Sequence, residues 1–128
     1  MNLYKNKLNI FLKLKERRDF MPILTFRAVE SEDIIKISKE LIDELEALIK
    51  CPRDYFTIEV RNSTFIKEGV VDKWYPIIDV AWFDRGQEVQ DKVAYIITNH
   101  LKNVGYDNVD VIFHKLIEKD YYENGQHF

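Results

Sequence analysis

The sequence predicts an α+β fold of duplicated β-α-β units, forming a four-stranded mixed sheet with two helices on one face. Three observations carry that prediction. Apolar and polar residues alternate over four short segments, the period of a strand with two unlike faces. Two longer segments repeat apolar residues at helical spacing. The order strand, helix, strand occurs twice, and short stretches of the two halves match at nearly one offset.

The first strand is read over Ile23 to Val29, where Leu24 and Phe26 alternate with Thr25 and Arg27. Ser31 is read as the N-cap of a helix whose first turn holds Glu32 and Asp33, where the helix dipole favours negative charge. Ile34, Leu41, Leu45 and Leu48, with Ile35, Ile42 and Ile49, form its apolar stripe, and Pro52 stops it. Tyr55 to Arg61 alternates again as a strand. A linker around Gly69 precedes the second half.

Tyr75 to Phe83 reads as the next strand, with Asp84 as N-cap of the second helix. That helix carries Val89, Val93, Ile96, Ile97, Leu101 and Val104, and Gly105 suits the position after its end. Asn108 to Leu116 is the fourth strand. "MPILTFRAV" aligns with "YPIIDVAWF", "DYFTIEV" with "DNVDVIF", and "TFIKEG" with "DYYENG". The offsets follow from Pro22 and Pro76, Asp54 and Asp107, and Gly69 and Gly125.

Each crossover is long enough to make its two strands parallel. One sheet face, including Leu24, Phe26, Ile58, Val80, Trp82 and Phe113, is expected to meet the helices. The other carries Thr25, Arg27, Glu59, Asp79, Phe83, Ile112 and His114, a mixture that suits a subunit interface.

The chain has 128 residues, enough for one domain, and a net charge of −3 that gives no reason to expect nucleic-acid binding. Cys51 is the single cysteine, so an intrachain disulfide is excluded and a reducing, cytoplasmic setting is expected. His100, His114 and His127 lack metal-site spacing, and no cofactor is expected. Cys51 reads as an apolar filler rather than a nucleophile.

Residues 1–20 differ from the rest: six basic and two acidic side chains give +4, leaving −7 for residues 21–128. A basic amphipathic membrane-surface helix and a targeting segment are two readings. The preferred reading is a non-native, mis-annotated extension, with the domain spanning 21–128. Glu16 to Met21 can be encoded as GAA AGG AGG GAT TTT ATG, which sets a bacterial ribosome-binding sequence just before an ATG. No membrane partner is expected unless residues 1–20 are genuine.

With Met21-Pro22 as the start, "MPILTFRAV", "WFDRGQEVQD" and "YYENGQHF" resemble the tautomerase superfamily, which includes 4-oxalocrotonate tautomerase and macrophage migration inhibitory factor (MIF). Within it, the chain is most similar to an uncharacterised bacterial branch, domain of unknown function 1904. The resemblance spans Met21 to Phe128 and implies a homotrimer, with a dimer as the alternative. It also implies a cofactor-free tautomerase or isomerase acting on a small carboxylate or enol, such as a 2-oxo acid.

In that family the initiator methionine is removed and the exposed proline amine is the base, which places the role on Pro22. An α-amine has a reference pKa of about 7.7–8.0, and an apolar, cationic setting lowers it towards neutrality. The resemblance implies a cation from Lys50, Arg53 or Arg27 to hold the substrate's oxygens. Tyr121, Tyr122 and His127 in the tail are read as compensating for departures from the family if that tail folds over Pro22 of the same or an adjacent subunit. The chain departs from the family where Ser31, Glu32 and Asp33 replace an early-helix arginine, and where Asp110 and Ile112 stand for a tyrosine and an asparagine. Arg85, Gln90 and Asp91 are read as capping the second helix and bracing the preceding loop, with no chemistry assigned to them. The rival function is a non-catalytic oligomeric module that binds a small ligand or a protein on the same fold.

Overall fold

The computed structural model describes residues 21–127. The sheet strands are β1 (Ile23–Arg27), β2 (Thr57–Arg61), β5 (Ile77–Trp82) and β6 (Asp110–Lys115), in the spatial order β2-β1-β5-β6. Helix α1 (Ser31–Ile49) joins β1 to β2, and helix α2 (Gln87–Asn103) joins β5 to β6. Both of these pairs are parallel, while β1 and β5 run antiparallel at the centre. The sheet is therefore mixed, as the two crossovers require.

The duplication is visible in the backbone. The Thr57 N–H donates to the Pro22 carbonyl at 3.1 Å, and the Asp110 N–H donates to the Pro76 carbonyl at 3.0 Å. Each proline leads a strand whose parallel neighbour starts against it. The third matched stretch is a hairpin in both halves. Strands β3 (Phe65–Lys67) and β4 (Val70–Asp72) are joined at Glu68-Gly69, and β7 (Tyr122–Glu123) and β8 (Gln126–His127) at Asn124-Gly125. Both residues of each turn have positive φ, the twist that suits a two-residue hairpin. The expected linker around Gly69 is thus a hairpin turn.

One side of the sheet forms the core. Leu24, Phe26, Ile78, Val80 and Trp82 meet Ile34, Leu41, Leu45, Val93, Ile97 and Leu101 from the two helices. Fully burying such side chains contributes about 1.5–3 kcal/mol each. The edge strands pack less completely, with Ile58, Val60, Val111 and Phe113 only half-buried against this cluster. Ile35, assigned to the α1 stripe, is exposed instead, because it points away from the sheet.

Several boundaries differ from the sequence reading. β1 ends at Arg27 because Ala28 takes a positive φ of 60° and turns the chain. Glu30, not Ser31, is the N-cap of α1, and it makes no side-chain cap bond. The Tyr106 hydroxyl does that work: it accepts from the Glu30 N–H at 3.0 Å and donates to Asp33 Oδ2 at 2.6 Å. Arg53–Tyr55 forms a 3₁₀ turn, so β2 begins at Thr57. Gly86 caps α2, while Asp84 sits two residues earlier and accepts the Gly86 N–H at 2.9 Å. After α2, Gly105 has φ 107°, and the N–H groups of Gly105 and Tyr106 return to Lys102 and Leu101, a Schellman closure.

Candidate functional site

Antiparallel pairing sets Ile23 opposite Ala81, so one further step brings Pro22 level with Trp82. The starts of β1 and β2 and the ends of β5 and β6 therefore share one edge of the sheet. The Leu116 N–H donates to the Trp82 carbonyl at 2.7 Å and completes that edge. The C-terminal end of α1 returns to it, as its crossover demands.

A cleft of about 660 Å³ opens there. Leu48, Ile49, Phe83, Val89 and Leu116 give it apolar walls, and Asp84, Arg85 and Glu118 supply charge. Arg85 is held in place from two sides. Its guanidinium lies 5.2 Å over the Trp82 ring, and Nη1 donates to the Phe83 carbonyl at 2.8 Å. The Trp82 indole N–H is buried with no hydrogen-bond acceptor among the described residues. Native folds leave few such groups.

The Asp84 carboxyl is held below its ordinary value, first by the Gly86 N–H and further by Lys115, whose Nζ is 3.4 Å away. Cys51 lies beside the end of α1, and burial pushes its thiol up to about 11, with the Arg85 charge acting in the opposite direction. It is therefore protonated and unreactive at neutral pH, which fits a filler.

The sequence-predicted residues fall into three places. Pro22 heads β1 at the cleft edge, with its ring fully buried and its nitrogen acylated by Met21, itself buried. Arg27 lies five residues along β1, about 16 Å away at ordinary strand rise. On the open sheet face its Nε and Nη2 bind Asp79 Oδ2 at 3.1 and 2.8 Å, and His114 Nε2 meets Asp79 Oδ1 at 2.8 Å. Burial acts most strongly on the Asp79 carboxyl and raises it, but the bonds from His114 and Arg27 together bring it below its ordinary value.

Lys50 and Arg53 lie at the end of α1, around a second hollow that also includes Cys51 and Pro52. Lys50 is the left-handed C-cap residue, with φ 60°. Arg53 Nη1 is engaged by Asp43 at 2.5 Å and Glu46 at 3.1 Å. Tyr122 and His127 face each other edge-on across the terminal hairpin, their rings 6.0 Å apart, and both are exposed. The preceding Tyr121 packs on Phe83 at 5.9 Å, which brings the tail to the same edge as Pro22. The readings of residues 1–20 lie outside the described residues.

Arg85 is the residue that the sequence reading left without chemistry. The signal for it was present: the repeat pairs it with Ser31 and puts a cation where a helix start favours negative charge. Among the described residues, no group of three or more His, Cys, Asp and Glu is placed to hold a metal. No described helix is long and apolar enough to cross a membrane.

Similarity to known proteins agrees with this architecture. A crystal structure from Sebaldella termitidis, described as a domain of unknown function (DUF1904), is 39% identical over 84% of this chain and 100% of that one, with a TM-score of 0.78. A macrophage migration inhibitory factor homologue from Prochlorococcus marinus is 17% identical over 83% of this chain and 98% of that one, at 0.65. A fused 4-OT described as a symmetric trimer is 16% identical over 84% of this chain and 94% of that one, also at 0.65. These last two share the fold alone. No curated protein matches the sequence. The model of the family described as "Domain of unknown function (DUF1904)" matches residues 21–127, and the chain belongs to that family, with the tautomerase/MIF fold.

Proposed function

We propose that the protein is a cofactor-free tautomerase that moves a proton between carbon and oxygen of a small 2-oxo acid or its enol, with Pro22 as base. One observation carries the reading: Pro22, the Trp82-supported Arg85 and the 660 Å³ cleft share one edge of the sheet. The free amine would take a proton from the carbon beside the carbonyl and return it to the oxygen, with no net change in protons. Exclusion of water and a nearby cation would lower the amine's pKa towards neutrality.

The chemistry needs Pro22 at the chain start. Translation from Met21 followed by removal of that methionine would provide it, and would clear the buried Met21 from in front of the nitrogen. A homotrimer is the assembly we favour. It is supported by the fused 4-OT trimer of the same fold and by the exposed Ile66, Val70 and Val71 on the β3–β4 hairpin.

The rival is a non-catalytic binding module. It is favoured by the burial of Pro22 and by the Met21 acyl group on its nitrogen, which leaves no amine while Met21 is retained. The deciding experiment is turnover of phenylpyruvate and 2-hydroxymuconate by protein translated from Met21, beside Pro22→Ala. Removing a positioned base costs about 10²–10⁴ in rate. Turnover that survives the substitution removes Pro22 from the mechanism, and inactivity towards every tested enol supports the binding module.

A further inference from the structure

We infer that the hollow at the Pro76 end of the sheet is a binding site for a free aromatic amino acid in its zwitterionic form. The site is separate from the Pro22 cleft and does not rest on the proton-transfer reading.

Three connections meet there. Ala28 turns the chain after β1 with φ 60°, Asn62 and Ser63 follow β2, and Lys73 and Trp74 lead from β4 towards β5. Together they border about 380 Å³, near the small end of the ~300–1,000 Å³ that ligand pockets occupy.

An aromatic platform is the first requirement. Trp74 and Phe65 line the hollow, and Trp74 is 49% exposed. Tyr75 stacks on one face of the indole, with centroids 4.9 Å apart and planes 27° apart. Tyr75 is itself held by a hydrogen bond to the Asp110 side chain. The indole is thus braced from one side, which lowers the ordering cost of stacking a planar group on the other.

Charges of both signs share the same lining. Lys73 Nζ has no ion pair among the described residues. Arg61 engages Glu59 through Nε, at 3.1 Å, and its Nη groups have no bond among the described residues. The Asp72 carboxyl is oriented by the Lys73 N–H, which donates to Oδ1 at 2.7 Å, so Oδ2 remains as an acceptor. Glu30 is placed by its backbone: its N–H donates to the Tyr106 hydroxyl at 3.0 Å, and its side chain makes no cap bond.

This lining separates ligand classes. A simple anion is drawn to Lys73 and Arg61 but repelled by Glu30 and Asp72, and a simple cation meets the reverse. A zwitterion satisfies both pairs: its carboxylate accepts from the cationic donors, and its ammonium gives three N–H donors to the carboxylates. An aromatic side chain then covers the open face of Trp74.

The test is binding of L-phenylalanine to the full chain, by calorimetry and by tryptophan emission excited where phenylalanine does not absorb. Trp82, the other tryptophan, is fully buried, so the emission change belongs to Trp74. N-acetylphenylalanine lacks the ammonium, phenylalanine methyl ester lacks the carboxylate, and glycine lacks the ring. Each is expected to bind the native protein at least ~10-fold more weakly, the scale of one charged hydrogen bond or more. Lys73→Gln should lose about 10-fold for phenylalanine and much less for the ester, and Glu30→Gln about 10-fold for phenylalanine and much less for the acetyl compound.

No saturable binding of phenylalanine by ~10 mM overturns the inference. So does equal affinity for the acetyl compound, the ester or glycine, or binding that leaves Trp74 emission unchanged. Undiminished affinity in both folded variants does the same. The ligand arms use native protein, so they decide the matter even if a variant misfolds.

Discussion

The two ends of the sheet are related by the duplication, yet the hollow at one is little more than half the size of that at the other. At the Pro76 end, Tyr106 follows α2 and reaches back to the start of α1, where its hydroxyl bonds both the Glu30 N–H and Asp33. At the Pro22 end, the residue after the left-handed Lys50 that closes α1 is Cys51, whose short side chain cannot make the same reach. The hollow lined by Tyr106 is about 380 Å³ and that lined by Arg85 is about 660 Å³. A repeat need not keep two equal sites: in one copy a tyrosine closes back on the neighbouring helix start, and in the other the proposed function places the substrate.

The largest expected effect separates the two prolines. Pro22→Ala in protein started at Met21 should lower turnover by about 10²–10⁴, whereas Pro76→Ala should leave kcat within a few-fold. Equal losses from both substitutions would mean that the prolines matter only as strand leaders.

Stability should show the reverse asymmetry. Tyr106→Phe strips the bond to the Glu30 N–H and leaves Asp33 without its donor, so it should cost about 1–3 kcal/mol in chemical denaturation. Cys51→Ala removes one small apolar group and should cost about 1 kcal/mol. Burial, then the bond to Asp33, raises the Tyr106 pKa. Its contribution is therefore complete below the unfolded value of about 10 and is lost as pH rises through the folded value. The phenylalanine variant should lack that alkaline decline.

On the open sheet face the sign is opposite. The Asp79 carboxyl is depressed, so its stabilisation is present above the unfolded value of about 3.9 and is lost as pH falls through the folded one. Asp79→Asn should lower stability at pH 7 and flatten the acid limb. A parallel acid limb in wild type and variant would assign the decline to other carboxylates. The smallest effect is at Cys51: with its thiol at about 11, iodoacetamide at pH 8 should modify the native protein slowly and the unfolded protein fully.

The fold was legible because its signals are local. Period-two strands, two helical stripes and the Pro22–Pro76 offset specify the four strands, and the parallel pairs follow from crossover length. For the candidate site, the sequence points to Pro22 through its place in a Met-Pro start, and the proposed function rests on it. What escaped depended on contacts distant in sequence. Tyr106 caps α1 across 76 residues, so Ser31 looked like the cap although its side chain is not used. Arg85 gains its meaning from the Trp82 ring beneath it and the Phe83 carbonyl beside it, and neither geometry is written in the loop that carries it. The resemblance points to Lys50 and Arg53 near the start of the second strand, and the fold brings Arg53 against Asp43 and Glu46 on α1.

The most direct measurement is the titration of the Pro22 nitrogen itself, followed by ¹⁵N NMR in protein labelled at proline and translated from Met21. An amine that begins to lose its proton below the ordinary α-amino range of about 7.7–8.0 is the predicted result. A nitrogen that remains acylated, or that titrates at or above that range, contradicts the assignment of the Pro22 end as the catalytic one.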